Sequence, residues 1–231
     1  MGHQGISLSH VGVPLLDTLL NNQGVSLLFT AVAIGGIANA INMIDGLKGL
    51  STFMMVFALV TIAMIAHTVG DISLAVASLT IAAAIFGFFL LNWPGGIYFL
   101  VMAAHTMVVL RLLGAEGRNP SILPFAGLLV CIYLCSEVFV SVYRRKIRAH
   151  KPTGPDLQHL HSLIYIRYLA MTKLQVSENS IAGLTVGILS IPTCLCAFYF
   201  QESTCGCFIS VTFFVLSYLT LYFRVIKFRR L

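Results

Sequence analysis

Charged residues are scarce in this sequence. Lys, Arg, Asp and Glu together make up 10% of the 231 residues, whereas a soluble domain usually carries about 25%. Hydrophobic residues make up 58% and the mean hydropathy is +0.92. So little polar surface cannot cover a water-soluble globule. Because the apolar residues also come in long runs, the sequence predicts a chain that has the bilayer as its solvent.

Metal-binding cysteine pairs and an export signal are also missing. The six cysteines include no C-x2-C spacing, so a zinc site is not expected, and we interpret them as small packing residues. The first 24 residues have no basic start before an apolar core and therefore predict no cleavable signal peptide. The net charge of +6 clusters beside apolar segments, which favours contacts with membrane lipids or phosphate over nucleic acid.

Seven apolar segments are long enough, or nearly so, to cross about 30 Å of hydrocarbon. An open sheet cannot satisfy its edges in lipid, so these segments are predicted to be helices. We therefore predict an all-α, polytopic transmembrane helix bundle that forms a single membrane domain over residues 1–231. The predicted spans are 25–44, 51–69, 72–91, 97–114, 121–142, 181–200 and 207–226.

One long polar stretch, residues 143–180, interrupts the spans and is predicted to be a cytoplasmic loop. It begins with a basic run whose orientation follows from the positive-inside rule. Alternating spans then put residues 45–51 and the break at 92–96 on the same side. The connection at 70–71 and the turn at Glu202 fall on the other side. The basic run consists of Arg144, Arg145, Lys146, Arg148 and Lys151.

Three polar residues spaced by three, Asn39, Asn42 and Asp45, end the first span. On a helix they lie along one face, and polar groups at that depth are costly unless they are satisfied. They are either functional or engaged in interhelical hydrogen bonds at an ordinary helix end. Glu137, inside the fifth span, is a further ionisable candidate that we expect to pair with the basic run.

Two histidines, His159 and His161, follow the basic run. Residues at i and i+2 do not share a helix face, but they can converge from a turn. Two histidines alone are a weak metal signal, because zinc sites need three or four ligands. Next to arginines, which grip phosphate in a bidentate way, they indicate a phosphate site. The alternatives are a solvated loop for the histidines and a pure topology signal for the basic run.

The order of these motifs resembles a known family. N-A-I-N-M-I-D-G-L-K-G-L at 39–50, L-N-W-P-G-G at 91–96, and Y-R-R-K-I-R with P-D-L-Q-H-L-H within 143–161 look like the motifs of the bacterial polyprenyl-phosphate N-acetylhexosamine-1-phosphate transferases. These membrane enzymes, of glycosyltransferase family 4, start lipid-linked peptidoglycan, O-antigen and related glycans. The His159-Leu160-His161 form is closer to the N-acetylglucosamine-1-phosphate branch.

The resemblance implies transfer of a sugar 1-phosphate from a UDP-N-acetylhexosamine to undecaprenyl phosphate, with Mg²⁺, at the cytoplasmic face of the bacterial inner membrane. By the same resemblance, Asn39, Asn42 and Asp45 would line the nucleotide-sugar and metal site, with Asp45 the catalytic residue and a metal ligand. The remaining motif residues would contact the diphosphate or the sugar. These residues are His159, His161, Arg144, Arg145 and Arg148.

The sequence also departs from the family pattern. Lys48 stands where the family has a second aspartate, and residues 101–104 replace a G-D-x-G segment with its metal-binding aspartate. The family's paired-aspartate motif has no match here. One expectation is therefore a catalytically inactive, truncated relative that binds lipid phosphate or a partner chain, including a second copy in a homodimer. An unrelated transporter, with Asn39, Asn42 and His105 along a path, is the third hypothesis.

Overall fold

A computed structural model describes residues 7–8, 11, 13–93, 124–148, 158–171 and 177–228 of the chain. In these residues all regular structure is helical, as predicted. The helices are α1 (Pro14–Leu20), α2 (Gln23–Ile44), α3 (Leu50–Thr68), α4 (Ile72–Asn92), α5 (Pro124–Arg148), α6 (Leu160–Met171), α7 (Ser177–Ile188), α8 (Ile191–Tyr199) and α9 (Thr204–Phe228).

Six candidate membrane spans occur in the described part of the chain. Four of them are the single helices α2, α3, α4 and α9. The fifth lies within α5 (Phe125–Ile147), and the sixth combines α7 and α8 (Asn179–Tyr199). They overlap six of the predicted segments, and the predicted span 97–114 lies outside the described residues. The chain is therefore a multi-pass helical membrane protein.

Local sequence explains where the first helices begin and end. Asn22 caps α2 by accepting hydrogen bonds from the backbone N–H groups of Gly24 and Val25, which otherwise lack intrahelical partners. Asp71 caps α4 in the same way through the N–H of Leu74. Gly70 adopts a left-handed φ of 79° between α3 and α4, a conformation that glycine reaches without strain. The two helices therefore form an antiparallel pair.

Helix α3 lies at the centre of the bundle. It packs against α4, α7 and α8, while α5 packs against α2, α8 and α9. In α3, 67% of the membrane-spanning segment is buried, compared with 22% in α2, 28% in α4 and 11% in α9. The outer helices thus present their apolar faces outward, as expected of helices in contact with lipid.

The stretch 143–180 is not the continuous loop that we predicted. Helix α5 continues to Arg148, α6 occupies Leu160–Met171, and α7 starts at Ser177. The prediction placed the end of the span where hydropathy falls, but Arg and Lys are good helix formers and extend the helix beyond the apolar segment. The predicted span 181–200 is itself interrupted at 189–190, where Pro192 at the start of α8 cannot donate a backbone hydrogen bond.

Candidate functional site

The carboxylate of Glu137 in α5 is the centre of a buried polar cluster. Its Oε2 atom lies 3.2 Å from the Nδ1 of His159, and its Oε1 atom lies 3.3 Å from the Nδ1 of His161. The hydroxyl of Tyr133, one turn earlier on α5, donates to Oε1 at 2.7 Å. All three partners are buried. Burying a carboxylate is costly unless it is fully hydrogen-bonded, and here the surrounding donors meet that cost.

Glu137 also satisfies the beginning of α6. The backbone N–H groups of Leu160 and His161 donate to its two oxygens at 3.3 and 3.4 Å. The first N–H groups of a helix have no intrahelical partners and carry a partial positive charge. A carboxylate from another helix therefore stabilises this end of α6. The same contacts fix the turn from which the two histidines project.

The two imidazole rings are held side by side. Their centroids are 5.3 Å apart and their planes differ by 6°. This shows how residues at i and i+2 converge, because His159 precedes the helix and His161 lies in its first turn. We had expected Glu137 to pair with the basic run. That expectation was wrong, since the partners of Glu137 in the described part of the chain are Tyr133, Leu160 and the two histidines.

The histidines meet the first sequence motif at the end of α2. A Cβ added to Gly46 would lie 3.8 Å from the Nε2 of His161. Gly46 is exposed and follows Asp45, which is half-buried. Because Gly46 has no side chain, its backbone lies close to the Nε2 edge of the His161 ring, which is itself buried. Asp45 Oδ1 accepts a hydrogen bond from the hydroxyl of Ser51, which fixes the carboxylate beside the start of α3.

The second motif packs against the same turn through Trp93. Gly49 has a φ of 80°, and a Cβ there would lie 2.7 Å from the Trp93 ring and 2.9 Å from the ring of Phe89. Only glycine combines this backbone conformation with such a close approach. Residues 94–96 of the motif lie outside the described part of the chain. The described portions of all three motifs therefore meet around residues 45–49.

Helix α7 supports this turn from a further side. The backbone N–H of Lys48 donates to the side-chain oxygen of Asn179 at 2.7 Å. A Cβ at Gly183 would lie 2.7 Å from the carbonyl oxygen of Lys48, so only glycine allows this contact. Sequence reasoning overlooked both Asn179 and Gly183, because neither belongs to a polar pattern. The turn is thus fixed from α3, α4, α6 and α7.

Arg144 positions the histidine turn instead of extending from a loop. Its Nη1 donates to the carbonyl oxygen of Gln158 at 2.6 Å and to the hydroxyl of Tyr222 in α9 at 2.8 Å. Gln158 immediately precedes His159, so Arg144 ties α5 and α9 to the site. Arg145 lies half-buried on α5. Helix α5 ends at Arg148, whose side chain, like Lys151, lies outside the described residues.

The amides of α2 are less tightly integrated. Asn39 and Asn42 are both exposed near the end of the helix. Asn39 donates to the sulfur of Met43 at 3.5 Å, a contact within its own helix, so the expected interhelical bonding is not seen for this residue. Within the residues that the structure describes, neither Asn39 nor Asn42 is hydrogen-bonded to Asp45 or to the histidines. His105, from the transporter hypothesis, lies outside the described residues.

The opposite end of the bundle carries different contacts. The hydroxyl of Thr68, at the end of α3, donates to the side-chain oxygen of Gln201 at 3.2 Å. Leu50, at the other end of α3, adjoins the site. This contact brings the α3–α4 connection and the Glu202 turn together, as the alternating spans predicted. The motifs therefore meet at the end of the bundle that contains Leu50, and the contact between Thr68 and Gln201 lies at the opposite end.

The described residues do not by themselves fit a Mg²⁺ site. They contain no group of three or more His, Cys, Asp or Glu side chains that could hold a metal ion. Glu137 is fully used by its donors, which leaves Asp45 as the carboxylate of the site. Mg²⁺ favours six oxygen ligands in octahedral geometry and is usually held by one or two carboxylates together with substrate phosphates and water. The replaced family segment at 101–104 lies outside the described residues.

An apolar groove runs between α5 and α9 and ends beside the site. Its volume is about 820 Å³. Phe139, Leu219 and Phe223 are among the apolar residues that line it, and Arg144 and Tyr222 lie at one end. Since these two residues hold Gln158, the groove and the histidines share a structural link. The residues that line the groove belong to two of the candidate membrane spans.

The fold and the site define a multi-pass membrane protein with a carboxylate-supported histidine pair at one end of its helix bundle. Residues 1–110 match the family model of glycosyl transferase family 4. Over these residues the chain is therefore similar to that family, as its motifs predicted. The match favours a relative of these transferases over an unrelated transporter.

Curated relatives show the same similarity. The chain is 28% identical over 165 residues to a probable undecaprenyl-phosphate N-acetylglucosaminyl 1-phosphate transferase of Bacillus subtilis (strain 168), covering 68% of this chain and 45% of that protein. It is 29% identical over 144 residues to an undecaprenyl-phosphate alpha-N-acetylglucosaminyl 1-phosphate transferase of Escherichia coli (strain K12), covering 58% and 39%. The match thus spans less than half the length of these relatives. No solved structure matches the chain significantly.

Proposed function

We propose that this chain forms the site at which N-acetylglucosamine 1-phosphate is transferred from a UDP-sugar to undecaprenyl phosphate. An oxygen of the lipid phosphate attacks the phosphorus that carries the sugar. A new P–O bond forms, the bond to the bridging oxygen breaks, and UMP leaves with that oxygen. Such chemistry depends on alignment and charge neutralisation more than on covalent catalysis by the protein.

The contact between Gly46 and the Nε2 of His161 carries this proposal. It joins the segment with Asp45 to the histidine pair, so that a donor diphosphate can be held by groups from both motifs. We propose that His159 and His161 contact the diphosphate or the sugar through their Nε2 atoms. Asn39 and Asn42, exposed on α2, lie where they can contribute amide donors to the nucleotide sugar.

The basic residues of α5 take two separate roles in this proposal. Arg144 is engaged by Gln158 and Tyr222 and therefore orients the histidine turn. Arg145 and Arg148 are the candidates for direct phosphate contact. The positive charge at this end of α5 supports a cytoplasmic location for the site, in the plasma membrane of a bacterium.

We propose that the acceptor lies in the groove between α5 and α9. An isoprenoid chain matches the apolar lining, and the basic end of the groove matches the lipid phosphate. Mg²⁺ is proposed as a cofactor on family resemblance. Because Asp45 is the carboxylate of the site, we propose that the ion binds together with the donor, whose phosphates supply further oxygen ligands.

A second candidate is a relative that binds both substrates without turnover. The lysine at position 48 favours this candidate, because the family motif has a carboxylate there and lost preorganised charge usually costs orders of magnitude in rate. The two candidates share the same binding geometry. They differ only in whether UMP is released.

Purified chain in proteoliposomes, with UDP-N-acetylglucosamine, undecaprenyl phosphate and Mg²⁺, tests the proposal. We expect UMP release that Asp45→Asn abolishes. Asp71→Asn is the matched control, because Asn also caps helices and Asp71 lies at the opposite end of α3 from the site. Donor binding without UMP release would establish the second candidate. UMP release that survives Asp45→Asn would contradict the assigned site.

A further inference from the structure

We propose that Glu137 is a positioning residue that fixes both His159 and His161 as Nδ1–H tautomers and presents their Nε2 atoms to the donor. This inference deepens the proposed function and rests on it for the identity of the ligand. It concerns a residue whose sequence context indicated only an ionisable group in a span. The structure gives it contacts to both histidines and to the first turn of α6.

The tautomers follow from hydrogen-bond chemistry. An ionised carboxylate only accepts hydrogen bonds, whereas a neutral imidazole has one N–H donor and one acceptor nitrogen. Both Nδ1 atoms lie within 3.3 Å of Glu137 oxygens. Each Nδ1 must therefore carry a proton, which leaves the lone pair of each neutral ring on Nε2. The stacked rings then direct both Nε2 atoms away from the carboxylate.

A structural capping role alone does not require this arrangement. The α6 N-terminus is satisfied by the backbone bonds from Leu160 and His161, and these bonds do not depend on where the rings point. Both rings nevertheless turn to the same carboxylate. Tyr133 restrains that carboxylate from behind, and the Nε2 of His161 faces Gly46. The cluster therefore determines which nitrogen is offered to a ligand.

The direct test is ¹⁵N NMR of the whole chain in lipid vesicles, with ¹⁵N-labelled histidine. Spectra recorded at alkaline pH report the tautomers of the neutral rings. The chain has seven histidines, so His159→Gln and His161→Gln assign the two signals. We expect a protonated Nδ1 and an unprotonated Nε2 at both positions. Nε2–H tautomers at both positions in the unmodified chain would overturn the proposal.

The variant Glu137→Gln keeps the shape of the side chain but replaces one oxygen with an amide donor. It cannot accept from both rings as the carboxylate does, so at least one histidine should change to the Nε2–H tautomer. Glu202→Gln makes the same chemical change at an exposed turn and should leave both signals unchanged. Unaltered tautomers in Glu137→Gln would contradict a positioning role.

Donor binding completes the test. Titrating UDP-N-acetylglucosamine should shift the Nε2 signal of His161. Glu137→Gln should raise the Kd for this donor about tenfold, the order expected when a hydrogen bond to a charged group is lost. Unchanged affinity would contradict the proposal. If the chain released no UMP while its Nδ1–H tautomers were observed, the proposed reaction would fail and the tautomer assignment would stand. If the chain released UMP while its histidines were Nε2–H tautomers, the proposed reaction would stand and the tautomer assignment would fail.

Discussion

The Nε2 atom of His161 faces Gly46 across a gap that a Cβ would narrow to 3.8 Å. These two residues come from motifs separated by about half of the chain. Their contact joins the end of α2 to the start of α6, and Glu137 holds the histidine in place from the other side. The site is therefore assembled from short turns that long helices bring together at one end of the bundle.

Gly49→Ala should destabilise the fold by about 2 kcal/mol or more. A left-handed backbone costs roughly 1–2 kcal/mol for a residue with a Cβ, and the new Cβ would also collide with Trp93 and Phe89. Unfolding in mixed detergent measures this change. Gly36→Ala is the matched control, because a Cβ there would meet nothing within 4 Å. Equal stability of the two variants would show that the turn is not packed as described.

Leu219→Trp should raise the KM for undecaprenyl phosphate and leave the KM for the UDP-sugar unchanged. The larger ring fills the groove between α5 and α9 but does not reach the donor site. Leu216→Trp makes the same change on the exposed side of α9 and serves as the control. If the donor KM rises instead, or if both variants behave alike, the acceptor does not occupy this groove.

Lys48→Asp should strengthen Mg²⁺ binding in the presence of the UDP-sugar. It adds a second carboxylate to the turn that carries Asp45, and Mg²⁺ sites commonly use one or two carboxylates. Calorimetric titration of the ion into the donor-bound chain measures the change. Lys48→Asn controls for loss of the lysine alone. If Lys48→Asp and Lys48→Asn bind Mg²⁺ equally, Asp45 and residue 48 do not face a common site.

The sequence predicted the helical membrane fold because apolar length and the cost of unsatisfied backbone in lipid leave few alternatives. It also predicted that residues 45–51 and the histidines share one end of the bundle, since charge bias and alternating spans fix relative sides. Helix boundaries within 143–180 were wrong, because hydropathy marks the edge of the membrane and not the end of a helix.

The partner of Glu137 could not be predicted in the same way. Its position inside a span made it a candidate, and the basic run lies nearer to it in sequence than the histidines do. Only the hydrogen bonds between the start of α6 and Glu137 on α5 decide between them. Asn179 and Gly183 carried no signal, since their roles depend on a backbone approach that no local pattern encodes.

A metal bridge between Gly46→Cys and the native His161 tests the assembly of the site most directly. The introduced thiol would lie close enough to the His161 Nε2 for one Zn²⁺ or Cd²⁺ ion to bind both, in a background without the six native cysteines. We predict that the ion slows maleimide labelling of this thiol several-fold, and that His161→Gln removes the protection. Gly70→Cys, beyond the other end of α3, should show none. Equal labelling of Gly46→Cys with and without the ion would contradict the account.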